Sequence, residues 1–578
     1  MTAGLDLDRS TATAAPEQPW WRSAVVYQVY PRSFADSDGD GIGDLRGVVA
    51  KLDHLQHLGI DVIWLSPFFP SPQVDNGYDV SDYTAVDPLF GSLADFDELL
   101  TQAHARGIRV VIDVVPNHTS DQHAWFADSR SSRTAARRDW YVWRPPRDGM
   151  VGGEPGAEPN NWASFFSGSA WLWDEASGEY YLHLFAAEQP DLNWENPAVR
   201  TAMADVLRWW IDRGVDGFRF DVLNLISKVP GLPDGAPIPG TPWGDGTPCY
   251  TSGPRVHEFV AELTAVIRRS TPEVLMTVGE MPGVSVTDGV LFTDPDRREV
   301  DMVFQFDHVD LDRGVTKFDV RPFDLVALKQ VFARWQDGLG DRGWNSQYWS
   351  NHDQPRAVSR FGDDAEYRRE AATLLGTVLH LHRGTPFVYQ GEELGMTNTP
   401  LRGPDDLVDI ESVNAFEEAA AGGHDVEPVM RGIRSAGREN ARTPMQWDAG
   451  NQAGFTTGTP WLAVNPNFAE INAEAQVGDP DSVLEYYRRL IALRHNEPTV
   501  VLGDYTQLLP EHPQLYAYLR ATEVEELLVL ANFGSDELVL PDTFTDWAET
   551  DVLIANHPVP VPLAPLGAWQ ARVLRRAR

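Results

Sequence analysis

The sequence predicts an α/β chain built on a parallel (β/α)8 TIM barrel, with a small inserted domain after the third strand and a C-terminal antiparallel β-sandwich. Three observations predict it. Eight apolar runs of strand length recur with helical patterns between them, as the strands of a parallel barrel do. Several runs finish in polar residues, Pro-Asn-His, Phe-Arg-Phe-Asp, Val-Gly-Glu and Asn-His-Asp, and barrel active sites are built at C-terminal strand ends. From about residue 500 the pattern changes to short alternating strands.

The runs fall at 24–30, 62–65, 110–115, 217–221, 274–280, 302–306, 347–350 and 386–389. Between the first two, apolar positions 45, 48, 49, 52, 55 and 58 follow helical spacing. Between the third and fourth lies an excursion, about 119–188, rich in Trp, Gly and Pro. It is too long for a plain βα loop and is expected to be a small domain. The alternating segments 514–520, 526–532 and 568–574 read as the terminal sandwich. The expected division is 1–118 for the first part of the barrel, 119–188 for the insertion, 189–499 for the rest of the barrel and 500–578 for the C-terminal domain.

Composition excludes several function classes. The 578 residues carry a formal net charge of −38, from 85 acidic and 47 basic side chains, and such a surface repels phosphate backbones. Hydrophobic residues at 42% and aromatics at 11% suit a packed protein. The 20 tryptophans are expected mostly as core filling, with sugar platforms as their other common use. A single cysteine, Cys249, excludes an intrachain disulfide and a cysteine-built metal site. The first 21 residues hold no basic region followed by an apolar one, and no run reaches the roughly 18 apolar residues of a membrane span. A soluble, cytoplasmic enzyme is expected.

The strand ending Gly217-Phe-Arg-Phe-Asp-Val222 carries the first chemistry. Alternate strand residues face one side, so Arg219 and Asp221 point together into the barrel mouth. A guanidinium beside a carboxylate keeps it ionised and oriented, as a nucleophile requires. Taken alone, the pair is more often a structural ion pair. Two further strand ends, Val278-Gly-Glu280 and Asn351-His-Asp353, bring carboxylates to the same mouth, and three converging carboxylates have few structural explanations.

The motifs Asp113-Val-Val-Pro-Asn-His118, Gly217-Phe-Arg-Phe-Asp221, Gly279-Glu280 and Asn351-His-Asp353 occur in this order, with Gln189-Pro-Asp-Leu-Asn193 between the first two. Together they make the chain resemble glycoside hydrolase family 13, the α-amylase family, over nearly its whole length. The resemblance implies that Asp221 attacks the anomeric carbon, that Glu280 acts first as acid and then as base, and that Asp353 holds sugar hydroxyls. Retaining pairs of this kind stand about 5–5.5 Å apart. His118 and His352 are implied as hydrogen-bond donors in the same subsite, although a barrel histidine alone is more often a core group. Asp75-Asn-Gly-Tyr78 resembles the segment of exo-acting α-glucosidases that supplies an acid for the terminal glucose and a stacking tyrosine. Its implied partner is an arginine of Arg438-Glu-Asn-Ala-Arg442, with Arg442 preferred and Arg438 the alternative. Phe185 resembles an aromatic wall of that subsite, with core packing as the rival role.

Asp36-Ser-Asp-Gly-Asp-Gly-Ile-Gly-Asp44 has the chemistry of a cation loop: carboxylates at Asp36, Asp38, Asp40 and Asp44, glycines for a tight path, and a backbone carbonyl at Ile42. It begins like an EF-hand but has Gly47 where that motif has a bidentate Glu. The loop resembles the structural calcium (Ca2+) site of oligo-1,6-glucosidases, and a solvated acidic turn is the alternative. Val222 after the nucleophile and Pro282 after the acid/base are also similar to those enzymes. They imply release of terminal glucose from short α-glucosides, with α-1,6 linkages of the isomaltose type favoured. The competing expectations are an α-1,4 preference, or transfer of the same glucosyl-enzyme to a sugar, as in transglucosylases and sucrose isomerases. Asp310-Leu-Asp-Arg-Gly314 matches the isomerase loop only in part. A non-enzymatic transporter accessory subunit is disfavoured by the three carboxylates. The expected partner is a small oligosaccharide, without nucleic acid or membrane, and the protein is expected to be a monomer or homodimer.

Overall fold

A computed structural model describes residues 18–271, 275–423 and 425–578. Val274, where the fifth expected strand begins, and most of the polar N-terminal stretch lie outside the described residues. The eight expected runs form one parallel sheet: β1 (Val26–Val29), β2 (Val62–Leu65), β3 (Arg109–Val114), β4 (Gly217–Phe220), β5 (Met276–Glu280), β6 (Met302–Phe304), β7 (Ser346–Gln347) and β8 (Thr385–Tyr389). The order is β6-β5-β4-β3-β2-β1-β8-β7, and a bridge between Val303 and Asn345 joins the two ends into a barrel. β1, β2, β5 and β8 are buried at every position, as strands covered by helices on one face and packed side chains on the other must be.

Register places the chemistry. Asp113 of β3 lies opposite Arg219 of β4, and Arg219 lies opposite Val278 of β5. Neighbours in register face the same side, so Arg219 enters the mouth beside Asp113 and one residue pair below Glu280. Gly217 permits this approach, because a Cβ there would stand 2.2 Å from the carbonyl oxygen of Met276.

The helical pattern at 45–58 folds as two helices, Leu45–Ala50 and Leu52–Leu58, not one. Lys51 breaks it with φ −108° and ψ 5°, and its ammonium lies 4.2 Å from the centre of the Trp447 ring. The break leaves the inward positions Leu45, Val48, Leu52, Leu55 and Leu58 all buried, so the core stripe survives it.

The insertion holds an antiparallel sheet in which Glu179–Leu182 is flanked by Trp143–Arg144 and Trp171–Asp174. Its aromatic core of Trp162, Trp171 and Tyr180 continues into Val222 and Leu225 at the end of β4, so the insertion is seated on the site. The C-terminal sheet has the strands β9 (Asp504–Leu508), β10 (Leu515–Ala521), β11 (Glu525–Asn532), β12 (Asp551–Ala555) and β13 (Ala571–Ala577), in the order β9-β10-β11-β13-β12. Tyr516, Tyr518, Val529 and Val573 pack on barrel helices, while the alternate residues Leu515, Ala517, Leu528 and Leu574 pack on Phe544, Trp547 and Leu566. Among the described residues the second layer of this sandwich is a 3-10 turn, coil and the bridge Leu538–Leu566, not a second continuous sheet. Trp64, Trp210, Trp335 and Trp349 are buried in the core. Among the described residues no helix is long and apolar enough to cross a membrane.

Candidate active site

The barrel mouth, the insertion and the segment following β8 enclose a pocket of about 370 Å³. Asp75, Tyr78, His118, Phe185, Asp221, Val222, Glu280, Pro282 and Asp353 stand on its wall. Beneath them Arg219 touches three carboxylates. Its Nη1 donates to Asp113 Oδ1 at 2.8 Å and to Asp221 Oδ1 at 2.7 Å, and its Nη2 lies 2.6 Å from Glu280 Oε2. The Val222 N–H donates to that same Glu280 oxygen at 3.1 Å. Val222 does so from a left-handed backbone, φ 35° and ψ 44°, which a β-branched residue rarely adopts.

Burial pushes the Asp221 carboxyl well above the usual carboxylate range; Arg219 opposes this, while Glu280, which shares a hydrogen bond with it, raises it further. Asp113 is raised to about 6 by burial against the pull of Arg219, and its Oδ2 accepts from the Tyr78 hydroxyl at 2.9 Å.

A second cluster closes the far end of the pocket. Arg438 donates from Nη2 to Asp75 Oδ1 (3.1 Å), from Nη1 to Asp353 Oδ1 (3.3 Å) and from Nε to Asp409 Oδ1 (2.8 Å). Arg442 donates to Asp353 Oδ1 (2.8 Å) and Asp409 Oδ2 (2.7 Å). The partner of Asp75 is therefore Arg438, not Arg442 as the sequence had suggested. Packing decides it: Arg442 is held behind the wall by the His352 carbonyl (3.0 Å) and the Tyr30 ring, whereas Arg438 lies against Phe166 on the wall. Burial raises Asp75 to about 7 despite Arg438 and Arg442. Burial would raise Asp353 too, but His352, Arg438 and Arg442 outweigh it and hold that carboxylate well below its usual range.

His352 also sits beneath the wall and not on it. It stacks on Tyr78 with ring centres 5.0 Å apart, and its Nδ1 accepts from Gln28 Nε2 at 2.8 Å. The proton is thereby left on Nε2, 3.2 Å from Asp353 Oδ2. His118 does reach the wall, where the Gln189 amide joins it to Asp75 at 3.1 and 3.0 Å. Burial lowers both imidazoles, to about 4 for His118 and about 3 for His352, so both are neutral at pH 7. Phe185 is on the wall against His118, stacked on Phe165 at 5.0 Å.

Several wall residues had no assigned role in the sequence. Lys317 and Glu411 face each other at 2.5 Å, and Arg313 Nη1 meets Asp310 Oδ1 at 2.8 Å. Asp310 and Arg313 had been visible only through the partial isomerase-like loop. Glu411 comes from the helix Ile410–Ala421, beyond the last barrel strand, where no strand-end rule points.

In the acidic loop, carboxylate oxygens of Asp36, Asp38 and Asp40 lie within 4.8 Å of one another. Asp44 does not join them: its oxygens accept from the N–H groups of Gly47 (2.8 Å) and Ser37 (2.7 Å), capping the helix Leu45–Ala50. Ile42 donates its N–H to Asp40 Oδ1 at 2.8 Å. Asp44, expected as a further ligand, thus also serves as the cap of that helix.

Residues 28–503 match the family described as "Alpha amylase, catalytic domain". The chain belongs to the α-amylase family. Within it the chain is 51% identical over 567 residues to an oligo-1,6-glucosidase of Parageobacillus thermoglucosidasius, covering 97% of this chain and 99% of that one. It is 49% identical over 518 residues to a trehalose-6-phosphate hydrolase of Escherichia coli, covering 89% and 91%. Among solved structures, a Bacillus licheniformis trehalose-6-phosphate hydrolase superposes with TM-score 0.91 at 43% identity, covering 97% of this chain and all of the other. A sucrose complex of an isomaltulose synthase variant from Erwinia rhapontici gives 0.90 at 41%, covering 96% and 99%.

Proposed function

We propose that the protein is an exo-acting, retaining α-glucosidase that removes terminal glucose from short α-glucosides, with α-1,6 linkages of the isomaltose type preferred. One observation carries this: Asp221 and Glu280 are held on a single guanidinium, within hydrogen-bond reach, in a pocket whose far end is closed by Asp75 and Arg438. Inverting enzymes keep their carboxyls about 6.5–9.5 Å apart to admit a water, whereas retaining pairs stand about 5–5.5 Å apart, and two carboxyls sharing one guanidinium are of the closer kind. The family and the relatives named oligo-1,6-glucosidase support the substrate class.

The free oxygens define the steps. Asp221 Oδ1 and Glu280 Oε2 are both engaged by Arg219, which leaves Asp221 Oδ2 to attack the anomeric carbon and Glu280 Oε1 to carry the acidic proton. The C1–O bond breaks as Oε1 protonates the leaving oxygen, giving a glucosyl ester on Asp221 and a free sugar. Glu280 Oε1 then takes a proton from water, whose oxygen attacks C1 and expels Asp221. Asp353, ionised throughout, accepts sugar hydroxyls beside the His352 Nε2–H. Asp75 and Arg438 bind the non-reducing end, leaving no space for a further unit. Where a sugar replaces the water, the same ester yields transglucosylation.

Calcium is part of the proposal as a structural ion. Asp36, Asp38 and Asp40 suit a hard cation, which takes oxygen ligands, and would hold it. One cysteine in 578 residues suits the reducing cytoplasm in which we place the enzyme. Isomaltose and maltose digests followed by proton NMR test the proposal: the first-formed glucose is the α anomer, and isomaltose is cleaved with the higher kcat/KM. Initial β-glucose would sink the retaining assignment, and a preference for maltose of about tenfold or more would sink the linkage.

A further inference from the structure

Relatives named oligo-1,6-glucosidase and trehalose-6-phosphate hydrolase are similarly close to this chain, so the charge of the accepted sugar needs its own argument. The wall of the pocket carries the cations Arg313, Lys317 and Arg438. Each already faces a carboxylate: Arg313 meets Asp310, Lys317 meets Glu411, and Arg438 meets Asp75, Asp353 and Asp409. The acids on the same wall, Asp75, Asp221, Glu280, Asp310, Asp353 and Glu411, outnumber these cations.

We propose that this pocket selects neutral glucosides and rejects sugar phosphates, because each wall cation that could receive a phosphate is matched to a carboxylate. The inference rests on the pocket being the glucoside site. A phosphate dianion would meet like charge at short range, where a partly dry wall screens it poorly, and like-charge juxtaposition is how an interface refuses a ligand. Glu411 is the side chain on which the discrimination turns. It stands at the start of the helix Ile410–Ala421, and its carboxylate neutralises Lys317, whose ammonium also lies 3.5 Å from the Asp353 carbonyl. Glu411→Gln keeps the shape and removes the charge, leaving Lys317 a cation facing the cavity.

Calorimetric titration of the enzyme with glucose and with glucose 6-phosphate, together with turnover of isomaltose and trehalose 6-phosphate, tests this. Glucose 6-phosphate is expected to bind at least about tenfold more weakly than glucose, and trehalose 6-phosphate to be cleaved at least about a hundredfold less efficiently than isomaltose. In Glu411→Gln the ratio of the glucose 6-phosphate Kd to the glucose Kd falls about fivefold or more. Glucose binding by the variant confirms in the same experiment that its pocket is formed. Equal or tighter binding of glucose 6-phosphate by the wild type, or comparable cleavage of trehalose 6-phosphate, overturns the proposal. An unchanged ratio in Glu411→Gln overturns the Lys317–Glu411 pair as its cause. Because titration needs no turnover, an enzyme that cleaved no α-glucoside would overturn the proposed function while the binding ratio still decided the charge question.

Discussion

Val222 is asked to do two things at once. Its amide fixes Glu280 Oε2, which requires the left-handed backbone, and its side chain lines the wall beside the nucleophile. A non-glycine residue held there costs about 1–3 kcal/mol, and a β-branched one sits at the upper end. An α-1,6 leaving group departs through a flexible CH2, whereas an α-1,4 group presents its ring directly to this wall. Val222→Ala keeps the amide and removes two methyl groups, so the isomaltose-to-maltose ratio of kcat/KM is expected to narrow by about tenfold, the low end of what such contacts are worth. Equal losses on both sugars with an unchanged ratio would assign the residue to backbone geometry alone. The neighbouring arginines show where residue-level reading stops. Arg438 and Arg442 are four apart, bracketing one short helical turn, Glu439–Arg442, so spacing puts both on one face. Which one meets Asp75, 363 residues away along the chain in the case of Arg438, is settled by the packing of Tyr30 and Phe166, and no local pattern encodes that.

Elements were legible where burial is uniform and illegible where it is not. The barrel strands stand out as apolar runs because both faces are covered, and their polar ends mark the site for the same reason. The edge strands β9 and β12 had no such signal, since their residues are mostly exposed or half-buried and show no clean alternation. The acidic loop between β1 and the helix Leu45–Ala50 is intermediate. Its composition announced a cation site, but the sequence could not show that Asp44 serves the helix. Asp36 Oδ1 and Oδ2 accept from the N–H groups of Gly39 and Gly41 at 2.7 and 2.8 Å, and burial and a hydrogen bond from Thr456 set against each other leave its carboxyl lowered. Gly41 packs on the chain at Thr459, where a Cβ would stand 1.9 Å from the carbonyl oxygen, so the loop pins the 456–460 segment to the barrel. A cation bound by the folded loop alone stabilises the fold by mass action. Chelation is therefore expected to lower Tm while low-temperature kcat/KM on isomaltose changes little. An unchanged melting curve, with the protein shown metal-free by elemental analysis, would return the loop to an ordinary acidic turn.

At the scale of the whole molecule, a chain of net charge −38 holds its barrel and C-terminal sheet together partly through buried cations that donate to backbone carbonyls. Arg520 of β10 reaches back to the barrel, donating to the carbonyl of Leu381 (2.5 Å) at the end of the helix Arg368–His380, and Lys329 reaches the opposite way, from the barrel to the C-terminal sheet. Lys329 belongs to the barrel helix Leu325–Leu339, and its Nζ donates to the carbonyls of Leu509 (3.1 Å) and His512 (2.7 Å) in the turn between β9 and β10 and of Leu515 (3.1 Å) at the start of β10. Lys329→Met deprives three carbonyls of their donor, and unsatisfied buried groups cost about 1–3 kcal/mol each where water cannot replace the partner. Tm is expected to fall by several degrees while kcat on isomaltose, measured well below Tm, is retained because Lys329, Leu509, His512 and Leu515 are not on the pocket wall. The pH dependence separates this tether from a generic packing defect. Burial lowers the Lys329 ammonium from 10.5 to about 8. Between those values the unfolded chain binds more protons than the folded one, so the contribution of this lysine to stability grows as pH rises from about 8 towards 10.5. The Tm difference between wild type and Lys329→Met should therefore widen from pH 7.5 to pH 9.5, and a difference that stays constant or shrinks would show that the lysine is not titrating inside the junction.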